Sequence, residues 1–174
     1  MTDRRLLIPE MEELISHFYA SLSDLGRFAL VASAALPDVS RRLLSHGGHM
    51  TEAHEDFYGT PVVVEALSRK QTEACYARKS LLRRKSDERI VQLGIMRIRY
   101  DLISDAVRRD IESESIPLGR ILKTHNVLRE VKLFALWRID PGAELAEFLG
   151  AAPGASVYGR TAMIHVDHLP GVEL

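Results

Sequence analysis

One arginine of this sequence lies where a charged side chain needs a partner. Arg78 stands in the middle of TEACYARKSLLRR, a stretch typical of a strand, on the same face as Tyr76 and Leu82. A buried guanidinium needs an anion or several acceptors. Either Glu65 or Glu73 forms a structural ion pair with it, or Arg78 binds the carboxylate of a ligand through paired hydrogen bonds.

A second candidate is IPLGRILKTHNV, residues 116–127, which fits neither a helix interior nor an alternating strand. Pro117 fixes its own φ and suits the first position of a helix, so the amides of Leu118 and Gly119 lack intrahelical partners. Such amides attract a carboxylate. The alternative interpretation is an ordinary connection that enters a one-turn helix.

Histidine is frequent, with 7 residues, but its spacing does not predict a metal centre. No group has the two close ligand pairs of a zinc site, and no cysteine pair supports one. The sequence also lacks a glycine-rich phosphate loop, a dinucleotide fingerprint and a G-x-S-x-G nucleophile turn. We therefore expect no metal and no cofactor. The histidines considered are His46, His49, His54, His165 and His168.

The composition is that of an ordinary globular chain. It has 174 residues, 46% hydrophobic and 27% charged, and a formal net charge of −1, so neither a nucleic acid nor a membrane is an expected partner. Its single cysteine, Cys75, cannot form an internal disulfide and suits a reducing compartment. No stretch approaches about 18 consecutive apolar residues, and the N-terminus does not fit a signal peptide. We expect a soluble, cytoplasmic protein.

The residue patterns predict an α+β fold, a mostly antiparallel sheet with helices packed around it. Helical spacing occurs in IPEMEELISHFYASL, in VSRRLL after the expected N-cap Asp38, and in the segment from the expected N-cap Thr51 to Gly59. The stretch LGRFALVASAALP is left undecided. DLISDAVRRDIESE and AELAEFLG, which Gly150 ends, are the later helices.

Strands are predicted where apolar and β-branched residues alternate, in PVVVEAL, TEACYARKSLLRR, RIVQLGIMRIRY and VLREVKLFALWRI. SVYGRTAMIHV and GVEL form a final hairpin. We divide the chain into a helical N-terminal extension, residues 1–40, packed on a domain formed by residues 41–174. The two parts are expected to make a single domain overall.

Several motifs in this order resemble the chorismate pyruvate-lyase family and its bacterial lyase-like relatives. PLGRIL follows an arginine-bearing strand and precedes a strand and a hairpin. The segments LLSHGGHMTEAHEDFYGTPVVVEAL (43–67), YARKSLL (76–82) and YGRTAMIHVDHLPGVEL (158–174) are similar to successive segments of that family. The resemblance covers residues 40–174.

The resemblance implies a sheet and helices that enclose a small pocket under flap-like segments. It also implies a carbon–oxygen lyase that converts chorismate, a small anionic substrate, to 4-hydroxybenzoate and pyruvate without a cofactor, here for a secondary pathway. Arg78 falls on the family's active-site arginine and would hold a carboxylate together with the amides at Leu118 and Met50. Thr51 and Gly119 complete the implied substrate-binding residues.

The family also has a catalytic glutamate on its last strand, at a position that falls just past Leu174 here. Glu173 is our candidate for it, because an even shift keeps a strand residue on the same face. The alternatives are that this residue belongs to sequence beyond Leu174 or that the activity has been lost. The flap differs too, since Glu52, His54 and Glu55 stand where the family is basic or apolar, which suggests a different substrate.

Two rival functions stay open. The same fold serves as an effector-sensing domain in some bacterial transcription regulators, so a non-catalytic module that binds aromatic carboxylates is the first rival. An enzyme that acts on another small aromatic or enol-ether substrate is the second. The sequence does not indicate an oligomeric state.

Overall fold

The computed structural model describes residues 11–127 and 129–174. It has an α+β fold in which seven strands form one antiparallel sheet with helices packed on it, so the predicted fold class is confirmed. The start of the predicted first helix, residues 8–10, lies outside the described residues, as does Leu128 of a predicted strand. The division of the chain at residue 40 stays a prediction.

The seven strands include all of those predicted from alternation. They are β1 Gly26–Leu30, β2 Val62–Gln71, β3 Cys75–Arg84, β4 Ile90–Arg99, β5 Arg129–Pro141, β6 Val157–Val166 and β7 Leu169–Glu173. The sheet order is β1-β5-β6-β7-β4-β3-β2, and each neighbouring pair is antiparallel. β1 is the stretch that the sequence left undecided, and it forms an edge by pairing Phe28 with Ile139 of β5.

Short helices cover both faces of the sheet. They are α1 (residues 11–16), α2 Leu22–Leu25, α3 Asp38–Leu44, α4 Met50–Tyr58, α5 Asp105–Glu112, α6 Leu118–Thr124 and α7 Ala143–Leu149. None of the described helices is long and apolar enough to cross a membrane. The segment around PLGRIL forms α6, a helix of about two turns, whereas the sequence indicated at most one turn.

The helix ends correct two predictions and confirm two others. Asp38 and Thr51 are not N-caps, because the first helical hydrogen bonds begin one residue earlier at Pro37 and two residues earlier at His49. The predicted ends at Gly59 and Gly150 are confirmed, and their φ values of 63° and 61° are in the left-handed region that glycine favours.

Each face of the sheet has its own apolar core. On one side, which we call the Arg78 face, Tyr76 and Ile98 pack against α5 and α6. On the other side, the Trp137 face, Trp137 packs against α1 and α7 through residues that include Met11 and Leu145. Both cores consist of buried side chains, and together they fix the strands β3, β4, β5 and β6 from the two faces of the sheet.

The sheet is open between β4 and β6. β7 pairs with Arg97 and Ile98 of β4, and its end reaches Ala162 of β6 through two backbone hydrogen bonds of 3.0 Å from Leu174. Beyond that point the described chain places no strand between the two. β4 and β6 flank one strand at this point, so they lie about two strand spacings, or ~10 Å, apart. Their remaining lengths leave an opening bounded by two strand edges.

Candidate functional site

A cavity of about 320 Å³ occupies the opening between β4 and β6. Residues on both strands line it, from Val91 to Met96 on β4 and from Val157 to Thr161 on β6. Since both odd and even positions take part, the cavity extends through the plane of the sheet. Backbone groups of the two strand edges therefore face the cavity together with side chains.

The lining is apolar apart from a few groups that include two arginines. Arg78 of β3 and Arg160 of β6 both line the cavity, and no aspartate or glutamate side chain of the described residues does. Ser80, Gln92 and two histidines, His49 and His54, are among the uncharged or titratable polar groups there. The described wall thus carries positive charge without a compensating carboxylate, which favours an anionic ligand.

Arg78 is the most buried charged side chain of this wall, with 2% of its surface exposed. Its Nε and Nη1 atoms have no hydrogen-bond partner among the described residues. Burial lowers the pKa of Arg78, and the nearby Tyr76 and Glu114 oppose that effect. Two donor atoms of this buried guanidinium, Nε and Nη1, are therefore without a partner in the described structure.

The predicted ion pair of Arg78 with Glu65 or Glu73 is not found. Glu65 instead binds Arg83, which lies further along β3. The ion pair with Glu65 or Glu73 is therefore absent from the described structure, and the binding of a ligand carboxylate stays a prediction. Tyr76 and Glu114 offset part of the cost of burying the Arg78 cation.

The N-terminal ends of α4 and α6 meet over the cavity. Met50 and Thr51 of α4 and Leu118 and Gly119 of α6 all line it, so four predicted substrate-binding residues lie in one place with Arg78. A side chain at position 119 would come within 3.1 Å of His49 Cβ, which explains why glycine stands there. The amides of Leu118 and Gly119 precede the first backbone bonds of α6 and have no partner in the described structure.

Two ion pairs fasten α4 to α6. Arg120 Nη2 lies 2.5 Å from Glu55 Oε1, and Lys123 Nζ lies 2.8 Å from Glu52 Oε1. Glu52 and Glu55 therefore serve the contact between the two helices and do not line the cavity. The suggestion that the flap indicates a different substrate stays a prediction.

His54 of α4 is a site residue that sequence reasoning missed. It is 2% exposed, its Nε2 lies 3.0 Å from Gln92 Oε1, and its ring stacks on Tyr58 at 6.0 Å between ring centres. If Gln92 Oε1 is the acceptor, Nε2 carries the proton and Nδ1 is an acceptor without a partner in the described residues. Burial lowers the pKa of His54, with smaller contributions from Arg160 and His46.

Arg160 was also missed. Its Nη1 donates to the carbonyls of His46 at 2.8 Å and Leu44 at 3.4 Å, and its Nη2 donates to that of Gly48 at 2.9 Å. It thus ties the loop between α3 and α4 to β6. Burial lowers the pKa of Arg160 to about 10. A signal for it was present in the sequence. Side chains alternate between the two faces of the strand YGRTAMIHV, so Arg160 shares a face with Ile164.

Glu173 does not join the predicted site. Its carboxylate accepts from Arg97 Nε, and Arg97 Nη1 also binds Glu13 of α1 at 2.6 Å. This cluster is on the Trp137 face, since Arg97 and Glu173 alternate with the Arg78-face residues Ile98 and Val172. The register across three strands places Glu173 opposite in direction to Arg78, so the expectation that the two act together is not supported by the geometry.

In the described part of the chain, no group of three or more histidine, cysteine, aspartate or glutamate side chains is arranged to hold a metal ion.

His54 is expected to make stability pH-dependent. Because its folded pKa is below its ordinary value, the unfolded chain binds the proton more readily, so stability falls as pH drops through the unfolded pKa. His54→Gln should flatten the fall in melting temperature between about pH 7.5 and pH 5, while His17 and His46, whose pKa values burial also lowers, retain part of it. The control is the exposed His168→Asn. Identical pH profiles for His54→Gln and wild type would contradict this assignment.

Glu173 is expected to act on stability and not on ligand binding. Glu173→Gln removes a half-buried ion pair with Arg97, and we expect a loss of about 1–2 kcal/mol in the free energy of unfolding by urea denaturation. The exposed Glu130→Gln is the matched control. Affinity for 4-hydroxybenzoate should be unchanged by Glu173→Gln. A folded Glu173→Gln protein that has lost this affinity would show that the carboxylate reaches the ligand.

No family model matches the chain, and no curated protein is significantly similar to it.

Proposed function

We propose that the cavity binds a small anionic ring compound and that Arg78 holds its carboxylate. The observation that carries this proposal is the buried guanidinium of Arg78, whose Nε and Nη1 are unpartnered in a described wall that contains no carboxylate side chain. Arginine offers a planar pair of donors that matches a carboxylate. The largely apolar lining, which includes Leu82, Met96 and Val131, suits the ring.

The reaction that we propose is the one implied by the sequence motifs, the conversion of chorismate to 4-hydroxybenzoate and pyruvate. The ring loses a hydrogen as a proton, the electron pair of that C–H bond becomes part of the aromatic ring, and the bond between the ring carbon and the ether oxygen breaks. The enolate that departs with the electrons of this bond takes up a proton on its methylene carbon and becomes pyruvate. No cofactor or change in oxidation state outside the substrate is needed.

The described residues contribute positioning and exclusion of water to this reaction. Arg78 and the amides at Leu118 and Met50 orient the ring carboxylate, and α4 and α6 cover it. Glu173 lies on the other face, whereas His54 lines the cavity and its Nδ1 has no hydrogen-bond partner in the described structure. We assign His54 as the candidate proton acceptor of the proposed lyase.

A second function, a non-catalytic module for aromatic carboxylates, is favoured by one observation. Glu173, the candidate for the glutamate that the resemblance places just past Leu174, is bound to Arg97 outside the cavity. A pocket in which no glutamate serves this role would bind 4-hydroxybenzoate and leave chorismate unchanged. Absorbance of 4-hydroxybenzoate formed from chorismate distinguishes the two functions.

We place the protein, as part of the same proposal, in the cytoplasm. The single Cys75 is unpaired and half-buried, which suits a reducing compartment.

The decisive variant is Arg78→Met. We expect it to raise the dissociation constant for 4-hydroxybenzoate at least about 30-fold, because the charge-assisted pair is lost. It should also keep or raise the melting temperature, because a buried charge with two unpartnered donor atoms is replaced by an apolar side chain. Calorimetric titration and thermal unfolding measure the two effects, and lyase turnover, if present in wild type, should be lost.

The matched control is Arg83→Met, on the same strand but paired with Glu65 outside the cavity. It should leave affinity unchanged. If Arg78→Met bound 4-hydroxybenzoate as wild type does, Arg78 would not be part of the site. If wild type bound neither chorismate nor 4-hydroxybenzoate, the proposed function would be wrong.

A further inference from the structure

Arg160 differs in what it binds from several other arginines of the described chain. Six of those are paired with carboxylates, namely Arg83, Arg84, Arg97, Arg99, Arg108 and Arg120. Arg160 is bound to three backbone carbonyls of residues 44–48. Those acceptors fix the guanidinium but carry no net charge, so its positive charge is not neutralised.

Burial makes this charge significant. Lowering of the Arg160 pKa to about 10 comes from burial alone, and the group is still a cation at neutral pH. Among the described residues no aspartate or glutamate pairs with it. The cavity wall therefore holds a second cation, and the nearby His54 Nδ1 is an uncharged acceptor beside it.

The two cations stand on the same face of the sheet, at opposite sides of the cavity. Arg78 is on β3 and Arg160 is on β6, with β4 and the opening between them. Three strand spacings separate the backbones laterally, about 14 Å. Both side chains line the same cavity, so one molecule that spans the cavity can contact both.

We propose that the ligand is a dianion, with one anionic group at Arg78 and a second at Arg160. This inference rests on the proposed function, because it assumes that the first group is bound at Arg78. In the proposed reaction the second group is the carboxylate of the enolpyruvyl ether. That carboxylate leaves with pyruvate, so the aromatic product loses its contact with Arg160 and is held less tightly than the substrate.

Two stable ligands of matched shape test this. 3-Methoxybenzoate carries one carboxylate, and 3-(carboxymethoxy)benzoate has the same ring and ether with a second carboxylate. We expect calorimetric titration of the wild type to show at least about tenfold tighter binding of the dianion, the effect of one charge-assisted contact. In Arg160→Gln this ratio should fall to about one while affinity for 3-methoxybenzoate changes less than about twofold.

Arg160→Lys is the control for the loop between α3 and α4. It keeps the charge and loses part of the hydrogen bonding to the carbonyls, so it should retain most of the preference for the dianion. A preference that survives Arg160→Gln would overturn the proposal. Equal loss of affinity for both ligands in Arg160→Gln would also overturn it, because it would show that Arg160 only positions the loop.

A third arm separates the inference from the proposed function. Glutarate and butyrate are compared by thermal shift in the same proteins. If the aromatic ligands do not bind but glutarate stabilises wild type more than butyrate and Arg160→Gln removes the difference, the dianion site stands and the aromatic ligand is wrong. If aromatic monocarboxylates bind without preference for a dianion, the proposed function stands and the inference is wrong. If none of the four ligands binds, both are wrong.

Discussion

Arg78 is buried to 2% exposure with two donor nitrogens that have no partner in the described structure. A guanidinium in that state is unfavourable in a protein interior and has to be compensated by packing elsewhere or by a ligand. The surrounding elements fit this constraint. Tyr76 lies two residues away on the same strand, its hydroxyl bonded to Glu114 at 2.8 Å, and the apolar cores on both faces fix the strand that carries Arg78.

The opening in the sheet places this charge beside a cavity. In the described chain β7 pairs with Arg97 and Ile98, and the remaining lengths of β4 and β6 have no strand between them. The cavity occupies that space, and α4 and α6 close it from the Arg78 face through the Glu55 and Glu52 ion pairs. In the proposed site, the burial of Arg78 costs stability and serves ligand binding, a combination that is common in preformed sites.

Local patterns predicted much of this arrangement. Period-two alternation correctly placed Arg78 on a buried face, and the glycine and proline pattern around Pro117 pointed to a helix start that does line the cavity. What could not be predicted depends on the register between strands distant in sequence. Glu173 and Arg78 lie on opposite faces of the sheet because of the register of β7 on β4 and of β4 on β3. A shift of one residue in that register would place them on the same face. The position of Arg160 opposite Arg78 likewise requires that β6 lie across the opening from β4.

The most direct test of this account is a crystal structure of the protein with 4-hydroxybenzoate. We expect the carboxylate of the ligand to lie within hydrogen-bond distance of Arg78 Nε or Nη1, with the ring in the opening between β4 and β6. A ligand bound elsewhere, or an Arg78 guanidinium paired with a carboxylate of the protein while the cavity holds none of the ligand, would contradict the account.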